Sequence, residues 1–332
     1  MTLRLPIIAV LALGYAALGS LPALAAKPYQ ETEARSHWYN FFIRPAKDNP
    51  RAQLAYAEGL QTDGWLRSAT KQYRRLTVFW PEAPEAPKAQ LALARVLDTR
   101  QKWEDAFEEY TYLIEHYPGT FPYNDILQRQ FEIAETVMAT RKGKFLFFPG
   151  FKAPDRAIPL FEKIIEHGPE WEKAPECQYL IGRAHEFGYE YELAVAAYLT
   201  AIVRYPDSPF AEQSAYHRAL CLELLASAEP NNESALDEAW TAMHQFVARY
   251  PKSEYVAEIT KLREKLFRSR AQMAFNRARY YDTIARQPKA ALMEYQDFVR
   301  FYPHSDWTAE AQKRIEKLVL LVGKNDHAKV TP

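Results

Sequence analysis

The residues best suited to chemistry are eight histidines and two cysteines, and none falls into a catalytic or metal-binding pattern. His37, His116, His167, His185, His217, His244, His304 and His327 are scattered along the 332 residues. His185-Glu186 lacks the second histidine, one helical turn on, that a zinc-protease helix needs. The chain has no glycine-rich phosphate loop and no Gly-x-Ser-x-Gly turn. Its carboxylates are abundant, as expected of solvated helix faces. These features predict a non-enzyme with no cofactor and no metal.

Two segments carry binding chemistry instead. Between 261 and 279 stand Lys261, Arg263, Lys265, Arg268, Arg270, Arg277 and Arg279 against one acid, Glu264. In a chain of zero net charge this is a local positive stripe, suited to an acidic partner domain or anionic lipid headgroups. The alternative is a solvated face with some arginines paired to acids of neighbouring helices. The second segment, 141–150, joins Arg141, Lys142 and Lys144 to Phe145, Leu146, Phe147 and Phe148. An exposed tip of this kind inserts into a membrane surface or anchors a partner. Folded back, the same aromatics cover adjacent helices.

A repeat must position these segments. Tyr-Pro recurs at 117–118, 205–206, 250–251 and 302–303, with Trp80-Pro81 and Gly168-Pro169 as variants. Twelve residues before each proline sits an alanine: Ala69, Ala106, Ala157, Ala194, Ala239, Ala291. Four after each alanine comes a large apolar residue: Tyr73, Tyr110, Phe161, Tyr198, Met243, Tyr295. Further apolar residues follow at seven or eight, so the ladder lies on one helix face. The alanine allows a close helix crossing, and the large residue fills the space beside it. Proline ends the helix. Thr120, Ser208, Ser253 and Ser305, two residues later, are expected to cap the next helix.

This register predicts an all-α, tetratricopeptide-like α-solenoid of six helical hairpins over 49–322. Second helices fall near 65–80, 103–117, 154–168, 190–205, 233–249 and 288–302. First helices fall near 50–61, 85–99, 122–140, 171–187, 208–227 and 254–284, and a last helix, 306–322, caps the array. The alanine intervals of 37, 51, 37, 45 and 52 residues exceed the usual repeat of about 34, so three units carry insertions. Arrays of this kind bind extended peptides along the face lined by first helices, which here carry Tyr56, Gln90, Tyr179, Arg183 and Tyr216. Cys177 and Cys221 lie seven residues apart in register, roughly 10 Å along parallel helices. That exceeds disulfide reach, so two free, buried thiols are expected.

The ends differ in kind. Arg4, the apolar run from Leu5 to Leu21 and the small-x-small Ala23-Leu24-Ala25 read as a signal peptide over 1–26, cleaved near Ala25. A retained anchor is the alternative. Residues 27–48, with Trp38, Tyr39, Phe41 and Phe42, form an extension expected to fold onto the first repeat. Residues 323–332 are expected to fray. Equal acids and bases, 42 each, argue against nucleic acid.

The stretch from Glu238 to Ala311 resembles BamD-type outer-membrane assembly factors. The likeness rests on Tyr-Pro-x-Ser followed by a long basic helix, its "ARYY" end, a short turn, and an Ala-x-x-x-Tyr helix closing on "FYPHSDWTAEA". The resemblance implies a periplasmic scaffold, peripheral to the outer membrane, that binds a POTRA-containing barrel protein and helps insert β-barrels. It also places the basic helix at the partner-binding end. Two features differ from that family's usual pattern: there is no cysteine for acylation in the signal segment, and six units stand where five are usual. A peptide- or substrate-binding adaptor for another envelope machine, in cell-wall remodelling or secretion, is the alternative function.

Overall fold

The computed structural model describes residues 44–142 and 151–328. Two compact units meet in sequence at Ala89 and Gln90. The fold is all-α and built from helical hairpins.

The first unit contains α1 (Pro50–Thr62), α2 (Leu66–Phe79) and the start of α3 (Ala86–Thr99). Asn49 caps α1 by accepting the Ala52 N–H at 2.8 Å, and Pro50 follows at the first helical position, where its missing N–H costs nothing. Gly64, at φ 80°, supplies the left-handed residue that turns the chain into α2. Ahead of α1, the Lys47 N–H donates to Gln53 Oε1 at 3.0 Å. The rest of the expected extension, 27–43, lies outside the described residues.

The second unit continues with α4 (Trp103–His116), α5 (Tyr123–Ala139), α6 (Ile158–His167), α7 (Ala174–Phe187), α8 (Tyr191–Arg204) and α9 (Pro209–Ala228). Then come α10 (Glu233–Arg249), α11 (Val256–Arg279), α12 (Pro288–Phe301) and α13 (Thr308–Ala328). Predicted and observed helices agree to within three residues at most ends. The six ladder alanines are all fully buried, and the six large residues four positions on are 2% exposed or less. The tightest crossing is at Gly182 in α7, where a Cβ would stand 2.4 Å from the Tyr198 ring.

The Tyr-Pro junctions share one geometry. The N–H of the residue before proline makes a last helical bond, as from Tyr205 to the Ala201 carbonyl at 3.0 Å. That residue then leaves the helix, because proline's ring disfavours helical ψ before it. The carbonyl of the same residue accepts the N–H three positions on, at 3.0–3.3 Å in all six junctions, closing a turn.

The structure corrects four expectations. The serines do not cap helices with their hydroxyls. Ser208 stands at the cap position without a side-chain bond, while Ser253 and Ser305 accept from Tyr255 and Trp307 within the turn. The third second helix opens as a 3₁₀ turn, Pro154–Ala157, and becomes α-helical only at Ile158, since Pro154 and Pro159 remove two amide donors. The insertion before it carries a two-residue antiparallel pair, β1 (Arg141–Lys142) with β2 (Phe151–Lys152), which no period-two pattern announced. The last helix runs on to Ala328 rather than ending at 322.

Cys177 and Cys221 are free and buried. Burial pushes the Cys221 thiol up to about 12 and the Cys177 thiol further still, so both stay protonated and unreactive.

Candidate protein-interaction surfaces

Three repeats are fastened by a carboxylate near the end of a first helix. Asp98 of α3 pairs with Arg129 of α5, whose Nε and Nη2 each lie 2.6 Å from a carboxylate oxygen. Tyr110 of α4 is buried near Asp98, and burial, helped by that negative charge, pushes its hydroxyl up to about 12. Glu186 of α7 accepts the Tyr198 hydroxyl of α8 at 2.5 Å and His217 Nδ1 of α9 at 3.0 Å. Asp282, in the π-turn Tyr280–Ile284 that ends α11, accepts Tyr295 of α12 at 3.4 Å and Arg314 of α13 at 2.6 and 2.7 Å. Glu186 and Asp282 thus each bond the second helix of their own hairpin and the first helix of the next, while Asp98 bonds the next first helix and acts on Tyr110 through its charge.

Sequence reasoning took these tyrosines for packing residues alone. The signal was available: an acid stands twelve or thirteen residues before Tyr110, Tyr198 and Tyr295, and Gln61 stands twelve before Tyr73, whose hydroxyl it accepts at 2.6 Å. Where the ladder has Phe161 or Met243, no acid stands at that distance. A hydroxyl buried beside a carboxylate needs its partner, so the two residue types occur together.

The basic stripe lies on α11 as expected, but much of its charge is spent within the fold. Lys265 Nζ is 2.8 Å from Glu223 of α9, whose side chain is only 10% exposed. Arg270 meets Asp237 of α10 at 2.5 Å, and Arg277 bridges Glu294 of α12 at 2.8 Å and Glu233 of α10 at 3.4 Å. Arg263 and Arg270 lie over the Trp240 ring, 5.9 and 5.3 Å from its centroid. Lys261, Arg268 and Arg279 are exposed and have no acid partner among the described residues. The stripe is therefore not a free positive face. The insertion lengthened α11 across two hairpins, and its cations close on the acids of both.

The first-helix face carries a continuous aromatic strip instead. Tyr179 of α7 lies 5.5 Å from Phe210 and 5.9 Å from His217, both of α9. His217 lies 5.2 Å from Tyr216, which stacks on Tyr255 at 4.1 Å. All five rings are half-buried. Arg183 donates to the Tyr179 hydroxyl and to His217 Nε2, each at 3.2 Å. Arginine can only donate, so Nε2 accepts and Nδ1 carries the proton that bonds Glu186. Of the five residues placed on first helices from sequence, Tyr179, Arg183 and Tyr216 join the strip. Tyr56 is 38% exposed beneath the Lys47 ammonium, and Gln90 is a core residue whose Nε2 binds the Glu109 carbonyl at 2.9 Å.

Lys144, Phe145, Phe147 and Phe148 of the insertion tip lie outside the described residues. No helix among the described residues is long and apolar enough to cross a membrane.

Residues 176–208 match the tetratricopeptide repeat family model. This is α7, α8 and the Tyr-Pro-x-Ser turn that follows, one full unit of the ladder. The outer membrane protein assembly factor BamD of Caulobacter vibrioides is 26% identical over 201 residues, covering 58% of this chain and 65% of the relative. The chain thus spans less than two thirds of that relative's length. Among solved structures, the MamA protein aligns over 61% of this chain and 92% of its own at 13% identity and a TM-score of 0.30. A thermophilic tetratricopeptide protein of Thermus thermophilus aligns over 67% and 98%, at 16% identity and 0.29. PilW, a type IV pilus biogenesis factor, aligns over 80% and 100%, at 12% identity and 0.27.

Proposed function

We propose that this chain is an exported, non-catalytic scaffold that holds protein partners at the periplasmic face of an outer membrane during β-barrel assembly. The observation that carries this reading is the 201-residue likeness to BamD of Caulobacter vibrioides. The helical-repeat fold suits the role, because stacked hairpins present long surfaces built from many helices. The N-terminal pattern of Arg4, an apolar run and Ala23-Leu24-Ala25 supports export, with cleavage near Ala25.

In this reading the partner meets the C-terminal half. The unpaired cations of α11, Lys261, Arg268 and Arg279, are its electrostatic contribution, while Arg263, Lys265, Arg270 and Arg277 hold the surface in place. The tip of Lys144, Phe145, Phe147 and Phe148 is the second contact, to the membrane surface or to the same partner. A POTRA-containing barrel protein is the expected partner. Affinity capture from crosslinked envelopes tests this: recovery of such a protein supports it, and its reproducible absence overturns it in favour of an adaptor for another envelope machine. A high-salt wash is expected to release the protein from membranes unless the aromatic tip inserts.

A further inference from the structure

The aromatic strip is distinct from the basic stripe and is edged mainly by acids, although Lys252 and Lys261 stand three residues from Tyr255 and Glu258. Three carboxylates flank it. Glu212 lies on α9, Glu254 precedes α11, and Glu258 lies in the first turn of α11. Glu258 accepts the Tyr216 hydroxyl at 2.9 Å. Glu254 and Glu212 both act electrostatically on the Tyr255 hydroxyl, and the charge of Glu254 is the main reason its pKa rises. None of the three has a basic partner among the described residues. Arg183, Glu186 and His217 satisfy one another beside them. Arg249, in the last turn of α10, is engaged elsewhere, with its Nη2 on the Pro206 carbonyl at 3.1 Å.

We infer that the strip of Tyr179, Phe210, Tyr216 and Tyr255 is a docking face for an extended, lysine- or arginine-bearing segment of a partner protein. Ring faces attract cations to within about 6 Å of their centroids. Open carboxylates at the edges add charge complementarity, which sets specificity and steers association. The rings are also pre-ordered: Tyr216 is tied to Glu258, Tyr179 to Arg183, and Tyr255 is stacked, so little freedom is lost on binding. The inference stands apart from the outer-membrane reading, since it rests on the aromatic strip and names a partner segment of opposite charge.

The test uses the purified protein and two labelled dodecapeptides, one alternating lysine and alanine, the other glutamate and alanine, followed by fluorescence anisotropy. The lysine peptide is expected to bind at least about tenfold more tightly, with affinity falling as salt is raised. The double variant Glu212→Lys/Glu258→Lys is expected to reverse the preference. Glu254→Gln, at an exposed position, is expected to weaken lysine-peptide binding several-fold with an unchanged melting curve, which keeps the test valid if the double variant misfolds. Tyr255→Leu is expected to weaken it too. Arg268→Glu/Arg279→Glu, farther along α11, is expected to leave it unchanged. Equal binding of the two peptides, or lysine-peptide binding insensitive to Glu254→Gln and Tyr255→Leu, overturns the inference.

Discussion

The two ends of α11 make opposite use of charge. From Lys261 onward the helix is basic, and Lys265, Arg270 and Arg277 close on acids of three other helices. At its start the charge is negative, and Glu254 and Glu258 find no cation among the described residues. Charge that holds helices together is neutralised by its neighbours. Charge left open beside half-buried rings is available to something else. A count of basic residues therefore points to the less available of the two surfaces.

The comparison can be broken first where closed charge is most buried. The Asp282 side chain is 5% exposed and depends on Arg314, itself 37% exposed. Arg314→Ala leaves that carboxylate only the Tyr295 hydroxyl and is expected to cost about 2.5 kcal/mol, below the range for a fully buried pair, read as a drop in urea midpoint. A loss under about 1 kcal/mol would show the pair to be decorative.

Gly182→Ala places a methyl against the Tyr198 ring and is expected to cost about 2 kcal/mol by overpacking. It also moves Tyr198 off Glu186. A melting temperature equal to the parent's contradicts the close crossing.

Next comes the basic end itself. Lys265→Ala uncovers buried Glu223 and is expected to cost about 1 kcal/mol. Lys261→Ala and Arg268→Ala are expected to stay within about 0.5 kcal/mol. Equal effects from all three would erase the distinction between closed and open cations.

The smallest effect is a matter of pH. Burial alone would raise the Glu186 carboxyl, but hydrogen bonds from His217 and Tyr198 outweigh it and hold the pKa below its ordinary 4.5. A pKa lowered on folding contributes stability above the unfolded value and loses it as pH falls through the folded one. Acidification below about pH 4.5 should therefore cost the parent more than Glu186→Gln, measured by chemical denaturation at each pH. A steeper loss in the variant reverses the assignment.

Much of this was legible in the chain. The alanine at minus twelve from each proline, with Tyr73 or its equivalent four later, located the hairpins because helix packing depends on nearby residues at fixed spacing. Proline located the ends because its effect is covalent. The tyrosine clasps were half legible: the acid before Tyr198 and Tyr295 is visible, yet nothing local says that a buried hydroxyl will seek it. Serine after Tyr-Pro misled because Ser253 and Ser305 satisfy the turn rather than the helix.

The helices, their pairing into hairpins and the axial offset of Cys177 from Cys221 follow from residue order alone, through periodicity and rise per residue. Which charges stay free is settled by contacts between helices distant in the chain. Lys265 reaches Glu223, 42 residues away, and Arg277 reaches Glu294, 17 away, whereas Glu258 reaches only Tyr216. Ion pairing depends on distance in space, and in a helical array with insertions of unequal length that distance follows no fixed spacing along the chain.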